Sequence, residues 1–469
     1  PNPLNGLAAD TDFSVSGDLT LNLGGYVMVA GGFSIEKTSQ TGVDLGSNGI
    51  LNIDLLTIEL TDVNLFVGTG GVFDTTTDPE NISIDTAEAT GFSVTDADLF
   101  LTIVSVTDPT PDTPPTDTRR WTGIAASAGD MTVVGLPSDF DIHVRNLEVF
   151  YNEASGSDPV AGTVARIDWS APLVATDSPL DGLLAATTLS VSGDITLNLG
   201  GYVLVAGGFH VVKTTPTGVD LGGNGASVDL DLLQVQLTGV NLFVGTGASF
   251  NTGTAGSYSV NTGGATGFSV TNANLYLAIA SVTDPTPADP PTDTRRWTGI
   301  AASAGAMTVV GLPSALDLQL NNISVMFNQA SGTDGAPVPV AATKIDWAPL
   351  VDGGNLLENL TSDTTFSAAG DAVLNLLDST VVLTASVAIK VSTQDVYLRN
   401  TASPGDLVAL PVNVNAFELG VYNATALISV GGQTASLGGV SLGLAYYSAN
   451  DGSGRSWLGL KTVGGSVVA

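Results

Sequence analysis

A chain of 469 residues with 46 acidic and 13 basic side chains has a formal charge of −33, which excludes the basic face that nucleic acid requires and disfavours an anionic membrane surface. It has no cysteine and only two histidines, so disulfides, thiolate chemistry and a Cys/His zinc site are excluded. Hydrophobic residues make up 43% and glycines number 56, a mixture suited to strands and tight turns around a large core, and no apolar run is long enough to cross a bilayer as a helix.

The chain opens on PNPLNGLAAD without a secretory leader and reads as an interior or processed start. SVSGDLTLNLGGYVMVAGGF at 14–33 returns as SVSGDITLNLGGYVLVAGGF at 190–209. TGVDLG recurs at 41–46 and 217–222, NLFVGTG at 64–70 and 241–247, and IDW at 167–169 and 345–347, an offset of 176 to 178 residues. A worn third copy begins with FSAAGDAVLNL at 366–376 and ends with GRSWLGLKTVGGSVVA at 454–469, so the natural chain is expected to continue. The sequence therefore divides into a repeat unit at 1–178, a near-identical one at 179–355 and a partial, diverged one at 356–469.

Within each unit apolar residues alternate, pause for two residues, then resume. Ile58 and Leu60 are followed by Thr-Asp, then Val63, Leu65 and Val67; Val94 by Thr-Asp, then Ala97, Leu99 and Leu101; Ile142 and Val144 by Arg-Asn, then Leu147, Val149 and Tyr151. The same step occurs at Leu237/Val240, Val270/Ala273, Leu320/Ile323, Val414/Phe417 and Leu437/Val440. Strand side chains alternate with period two, so a step of three requires a corner or a β-bulge. Helical periodicity is nearly absent, SPLDGLLAATTL offering at most one turn, and the proline-rich stretches 107–118 and 283–294 read as stiff exposed loops.

PPTDTRRWTGIAASAG stands at both 114–129 and 290–305. Trp121 and Trp297 are expected to close the end of an apolar interior. Arg119, Arg120, Arg295 and Arg296 would stack on the indoles or pair with nearby Asp; the alternative is a grip on an acidic sugar. Asp18, Asp194 and Asp371 recur in all three copies in a turn context, as turn-capping carboxylates or as calcium ligands. Lys37, Lys213 and Lys390 follow the first long strand of each copy, as strand-end ion pairs or, more sharply, as sites of an intramolecular isopeptide link. The adjacent rings Phe150/Tyr151 and Tyr446/Tyr447 would each place one ring in the core and one outside.

Catalytic constellations are sparse. His143 is matched by Gln319 and His210 by Ser34, so neither histidine recurs in the sister unit, and triad chemistry and an enzyme are not expected. The glycine strings do not lead into helices, which removes a dinucleotide reading. Paired carboxylates recur in tandem, which favours structure over one cleft.

The repeats, SVSGDLTLNLGG and the bent-strand motif give the chain a resemblance to the tandem sections of very large secreted bacterial surface proteins, adhesin-like or fibre-forming. That resemblance covers nearly the whole chain and implies export and roles in attachment or matrix building. The reading is an all-β, elongated β-solenoid-like repeat array, with tandem β-sandwich domains as the alternative, continuity being favoured by the apolar junctions APLVATDSPLDGLLAATT and APLVDGGNLLENLTSDTT. The expected function is an extracellular or cell-surface filament, stalk or fibre whose partners are further repeats or copies of itself. The alternatives are an adhesin or a glycan- or ice-binding module, stabilised by Ca2+ or not, and a carbohydrate-active enzyme on a β-helix.

Overall fold

The structure is a computed structural model that describes residues 11–75, 82–107, 117–137, 140–160, 164–170, 173–174, 177–225, 227–251, 259–283, 293–311, 316–398 and 411–468. The chain is all-β and divides into two compact units. In order, the strands are β1 (Thr11–Leu23), β2 (Val27–Asp44), β3 (Ile50–Thr69), β4 (Val72–Asp74), β5 (Ser83–Asp85), β6 (Thr90–Val106), β7 (Arg120–Val134), β8 (Phe140–Ser155), β9 (Thr187–Leu199) and β10 (Val203–Thr214). They continue as β11 (Leu230–Thr246), β12 (Ser249–Asn251), β13 (Ser259–Asn261), β14 (Thr266–Val282), β15 (Arg296–Val310), β16 (Leu316–Ser331), β17 (Thr364–Leu376), β18 (Val381–Val396), β19 (Val412–Val430), β20 (Gln433–Ala449), β21 (Ser456–Val463) and β22 (Ser466–Val468).

In the first unit each long strand pairs antiparallel with the next: β1 with β2, β2 with β3, β3 with β6, β6 with β7, β7 with β8 and β8 with β9. In the second unit the succession runs β11, β14, β15, β16, β17, β18, β19, β20 and then β21, with β22 also on β20. Each sheet is open rather than closed into a barrel. Two short hairpins, β4–β5 and β12–β13, stand apart from the long strands.

The three-residue steps are bulges of these antiparallel strands. Asp62, Asp96 and Asn146 in the first unit, and Asn272 and Asn322 in the second, have φ near +50°, and Gly239 and Gly439 take the same left-handed backbone. Register shifts fall at Leu60/Val63 and Leu237/Val240. Asp and Asn tolerate this conformation better than other side-chain-bearing residues, which is why they recur there. The step expected at Val414/Phe417 is not a bend, since β19 pairs there in unbroken register; its bulge lies at Asn423, with φ of 48°. The sequence around Asn423 shows no clean step of three, because the alternation on either side of it is irregular.

Adjacent strands bulge at the same height. Ala97 pairs with Val63 on one side and Ala128 on the other, and Ala128 pairs in turn with Leu147. Each sheet thus carries a row of kinks across its middle. The extra residue exchanges the two faces of a strand. In β3 this puts Ile53, Leu55 and Phe66 on one face, and Ile58, Leu60, Val63, Leu65 and Val67 on the other.

The cores lie on the first of these faces, on either side of the kinks. One buries Val43, Ile53, Leu55, Val104, Trp121 and Ala125 beneath Ile167, Trp169, Leu173, Val174, Leu180 and Leu183. The other buries Met28, Phe66 and Ala89 beneath Phe73 and Ile84 of the β4–β5 hairpin. The second unit repeats both, with Trp297 and Trp347 in the larger and Leu204, Phe243 and Ala265 in the smaller. Burying each such side chain stabilises by about 1.5–3 kcal/mol. The junction segments are therefore core-forming covers. The turn expected in SPLDGLLAATTL is not helical, whereas Leu356–Asn359 in the second cover is a 3-10 helix capped by the Asn355 side chain. The proline-rich stretches lie outside the described residues, apart from their ends at Thr107, Asp117, Thr118, Thr283, Asp293 and Thr294.

Candidate functional site

The repeated Arg-Arg-Trp string occupies the edge of the larger core. Trp121 and Trp297 are fully buried, and their indole N–H groups donate to the carbonyls of Ala165 and Thr343 at 2.9 Å. Alternation then sends the first arginine of each pair inward and leaves Arg120 and Arg296 exposed. Arg119, 6% exposed, donates to both carboxylate oxygens of Asp117, to the carbonyl of Asn48 at 2.7 Å, and pairs with Asp158 at 2.9 Å. Arg295 repeats the contacts to Asp293 and to the carbonyl of Asn224, and its guanidinium lies 5.8 Å from the Trp297 ring centre. In the third copy Arg455 meets Asp451 and lies 5.7 Å from the ring of Trp457.

These pairs shift the carboxylates downward. The hydrogen bond from Arg119 holds Asp117 below its ordinary range against the opposing effect of burial. For Asp293, burial is the largest influence and acts upward, but the combined hydrogen bonds and charge of Arg295 prevail and the net shift is downward. The inner arginines direct their donors to this chain, Arg119 to Asp117, Asp158 and Asn48 and Arg295 to Asp293 and Asn224. The geometry is that of a clamp between three segments.

The second tryptophan of each repeat, carried by the cover, stands out in the sequence only through its IDW motif. Trp169 and Trp347 are fully buried, and their indoles donate to Asn152 and Asn328 at 3.1 Å. Those amides in turn donate to the carbonyls of Ile167 and Leu184, and of Ile345 and Thr361. A buried polar group without partners costs roughly 1–3 kcal/mol, so each Asn is a complete hydrogen-bond hub. Its signal was the recurrence of FYNEASG as MFNQASG.

The kinked row gathers the acidic side chains. The backbone N–H of Asp62 donates to Asp98 at 3.1 Å, and the Ser127 hydroxyl reaches the other oxygen of Asp98 at 3.4 Å. Asp194 accepts the side-chain amide of Asn146 at 2.8 Å; Asp371 accepts that of Asn322 at the same distance and the hydroxyl of Ser386. The two hydrogen bonds lower the Asp371 carboxyl below its ordinary range. Asp18, Asp194 and Asp371 thus lie on three different strands, β1, β9 and β17, and are not brought together. Among the described residues no group of three or more acidic or histidine side chains is arranged to hold a metal ion.

Lys37 pairs with Asp12 at 3.4 Å and with the half-buried Asp54 at 3.9 Å, and Lys390 with Asp363 at 3.1 Å. Lys213 is exposed near the end of β10. Lys37 stands opposite Phe13 whereas Lys390 stands opposite Ser367, one residue out of step, so the two point to opposite faces. Exposed ion pairs of this kind contribute at most about 1 kcal/mol.

A cluster the sequence did not single out surrounds His143. It meets Asp141 at 2.7 Å and Asp130 at 3.4 Å, while Arg145 bonds Asp130 at 3.1 Å and the histidine ring at 3.0 Å. The second unit has Ala306, Gln319 and Asn321 at the corresponding places. In the same unit, a trough of about 430 Å³ is lined by Glu59, Asp98, Phe100, Ser127, Glu148 and Phe150. A wider one of about 690 Å³ runs over β17 to β21 past Lys390, Glu418, Tyr422 and Lys461 among small residues. Of the paired rings, Phe150 packs on the core while the Tyr151 hydroxyl donates to Glu153; Tyr447 donates to Glu418, and Tyr446 is exposed.

No helix among the described residues is long and apolar enough to cross a membrane. In comparison with known proteins, the chain matches no protein-family model and no curated protein sequence.

Proposed function

We propose that this chain is an extracellular structural repeat protein that builds a filament, stalk or surface fibre by adding β repeats, and that it is not an enzyme. The observation that supports this most directly is how repeats join. By sequence β9 opens the second repeat and β17 the third, and each is hydrogen-bonded along its length to the last long strand of the preceding repeat, β8 or β16. A junction of this kind transmits force through a row of backbone bonds rather than through a flexible linker. It also supports a continuous β array rather than domains joined by separate linkers. Absence of cysteine, low charge density and the resemblance to secreted surface giants support the location.

A second reading, attachment to surface glycans, draws on the acidic trough of the first unit, where Glu59, Asp98 and Glu148 flank Phe100 and Phe150. Electron microscopy of the native material tests the first reading: fibres of repeating width are expected, and dispersed single particles would remove it. Binding of the chain to a panel of immobilised glycans, abolished by Asp98→Ala, would instead carry the second.

A further inference from the structure

The face of each sheet turned away from the cores is apolar from strand to strand. In the first unit Ile35 of β2 stands beside Ile58 of β3, then Leu101 of β6, Ile124 of β7 and Tyr151 of β8. Past the kinks the same face continues as Val29, Leu65, Val94, Met131 and Val144. The second unit repeats both rows, as Val235, Leu277, Ile300 and Phe327 and as Leu242, Val270, Met307 and Leu320. Neither unit places a charged side chain in these rows. Alternation sends Glu59, Asp98, Asp141 and Glu148 to the opposite, core-bearing face.

No described part of the chain packs on the apolar rows. The four buried clusters draw no residue from them. Val67 and its counterpart Val244, at the end of this face, are 44% and 45% exposed. Repeats join side by side, β9 on β8 and β17 on β16, so a further repeat widens the sheet and leaves the face as it is.

The extent of the face limits what can occupy it. Five strands from β2 to β8, spaced by ~4.8 Å and paired over ~45 Å, give roughly 1,000 Å². A standard stable interface takes roughly 800 Å² from each partner. Charge narrows the choice further. The chain carries −33, which an anionic lipid surface repels. Another copy offers a face of the same size without charge, and stacking on it keeps the carboxylates of both chains on the outer sides.

We propose that two copies of this chain stack face to face through these apolar rows, like the two sheets of a β-sandwich about 10 Å apart. The roofed cores and the acidic rows then lie outermost. This deepens the filament reading, on which it rests, by naming the surface through which chains associate.

The test uses the full chain. Sedimentation should show a concentration-dependent monomer–dimer equilibrium. Ile58→Lys combined with Leu101→Lys should raise its dissociation constant at least about a hundredfold with the melting midpoint nearly unchanged. Should that variant unfold, a gentler measurement still decides. The chain has no cysteine, so single nitroxide labels can be placed at Ile35→Cys, Leu101→Cys or Tyr151→Cys on the apolar face and at Ser127→Cys on the other. At least one of the first three should show dipolar broadening that dilution with unlabelled chain removes, and Ser127→Cys should show none. Broadening at no site, equal broadening on both faces, or a chain that stays monomeric at every concentration would overturn the proposal. So would a monomer that binds phosphatidylcholine vesicles through this face and loses them in the double lysine variant. Fibres in the native material without this contact would leave the filament reading standing and remove the stacking; stacked pairs without fibres would do the reverse.

Discussion

The two units are built on the same kinked sheet, yet the middle row of one is charged and that of the other is mostly amide. The first unit has Asp62, Asp96, Asp98, Asp130 and Arg145 where the second has Gly239, Asn272, Asn274, Ala306 and Asn321. The geometry survives the exchange. Asp98 accepts the backbone N–H of Asp62 at 3.1 Å, and Asn274 accepts that of Gly239 at 3.0 Å. What the row requires is therefore a left-handed backbone and an oxygen acceptor on the neighbouring strand, not a charge. By contrast the two larger cores match in detail, from the arginine clamps to the Trp–Asn hubs. The tandem duplication held the packed ends fixed and let the row drift.

The largest effects that probe this comparison lie in the cores. Trp169→Ala and Trp347→Ala should each destabilise by about 3–5 kcal/mol, because each empties a fully buried site and orphans an Asn amide. Calorimetry should show equal losses in the two variants; a much smaller loss in one would break the claimed equivalence. Arg119→Ala should cost about 3 kcal/mol, since it leaves Asp117 and Asp158 facing each other beside a buried wall, and Arg295→Ala somewhat less, with one carboxylate in direct contact. Gly123→Ala and Gly299→Ala sharpen the point from the other side. A methyl group there would come within 2.7 Å of the Trp169 ring or 2.5 Å of the Trp347 ring, so each should lose about 1–3 kcal/mol by overpacking.

Acid should weaken both clamps. Asp117 and Asp293 have folded-state values below the ordinary 3.8, so the unfolded chain takes up protons first as pH falls. Their contribution is complete well above that value and is lost as pH drops through the lowered folded values. Asp451, held at about 2 by Ser453 and Arg455, should be the last of the group to titrate. A melting midpoint that falls steadily below about pH 4, with the fall reduced in Arg119→Ala, is the expected result; an unchanged slope in that variant would remove the clamp as its cause.

The smallest effect separates the rows. Asp96→Asn in the first unit should stabilise by about 0.5 kcal/mol at low salt, a difference that shrinks as salt screens the row's other carboxylates, whereas Asn272→Asp in the uncharged row of the second should change little at any salt. Midpoints measured across ionic strength check it, and a salt-independent difference would show that backbone preference alone decides the residue.

Much of this was legible in the residues. The repeats, the all-β class and seven of the eight bends follow from local chemistry: alternation fixes faces, and a three-residue step with Asp, Asn or Gly must be a bulge. The site is a different matter. Asn152 and Trp169 are seventeen positions apart and meet only because a cover folds back, and nothing in either residue alone announces that. The cluster around His143 needs β7 and β8 in register before Asp130 and Arg145 can meet. The out-of-step lysines were indistinguishable in a one-dimensional alignment, since a shift of one residue changes the face without changing the composition.

Sequence by itself determined that this chain repeats, that it is made of strands, and where those strands must bend, because each depends on the order of apolar and turn-forming residues along a few consecutive positions. Tertiary structure alone decided that the bends align into rows and that the apolar junctions roof the tryptophans. Each of those is a matter of which strand lies beside which, and hydrogen-bonded neighbours are chosen by burial and register summed over the whole sheet rather than by any short run of residues.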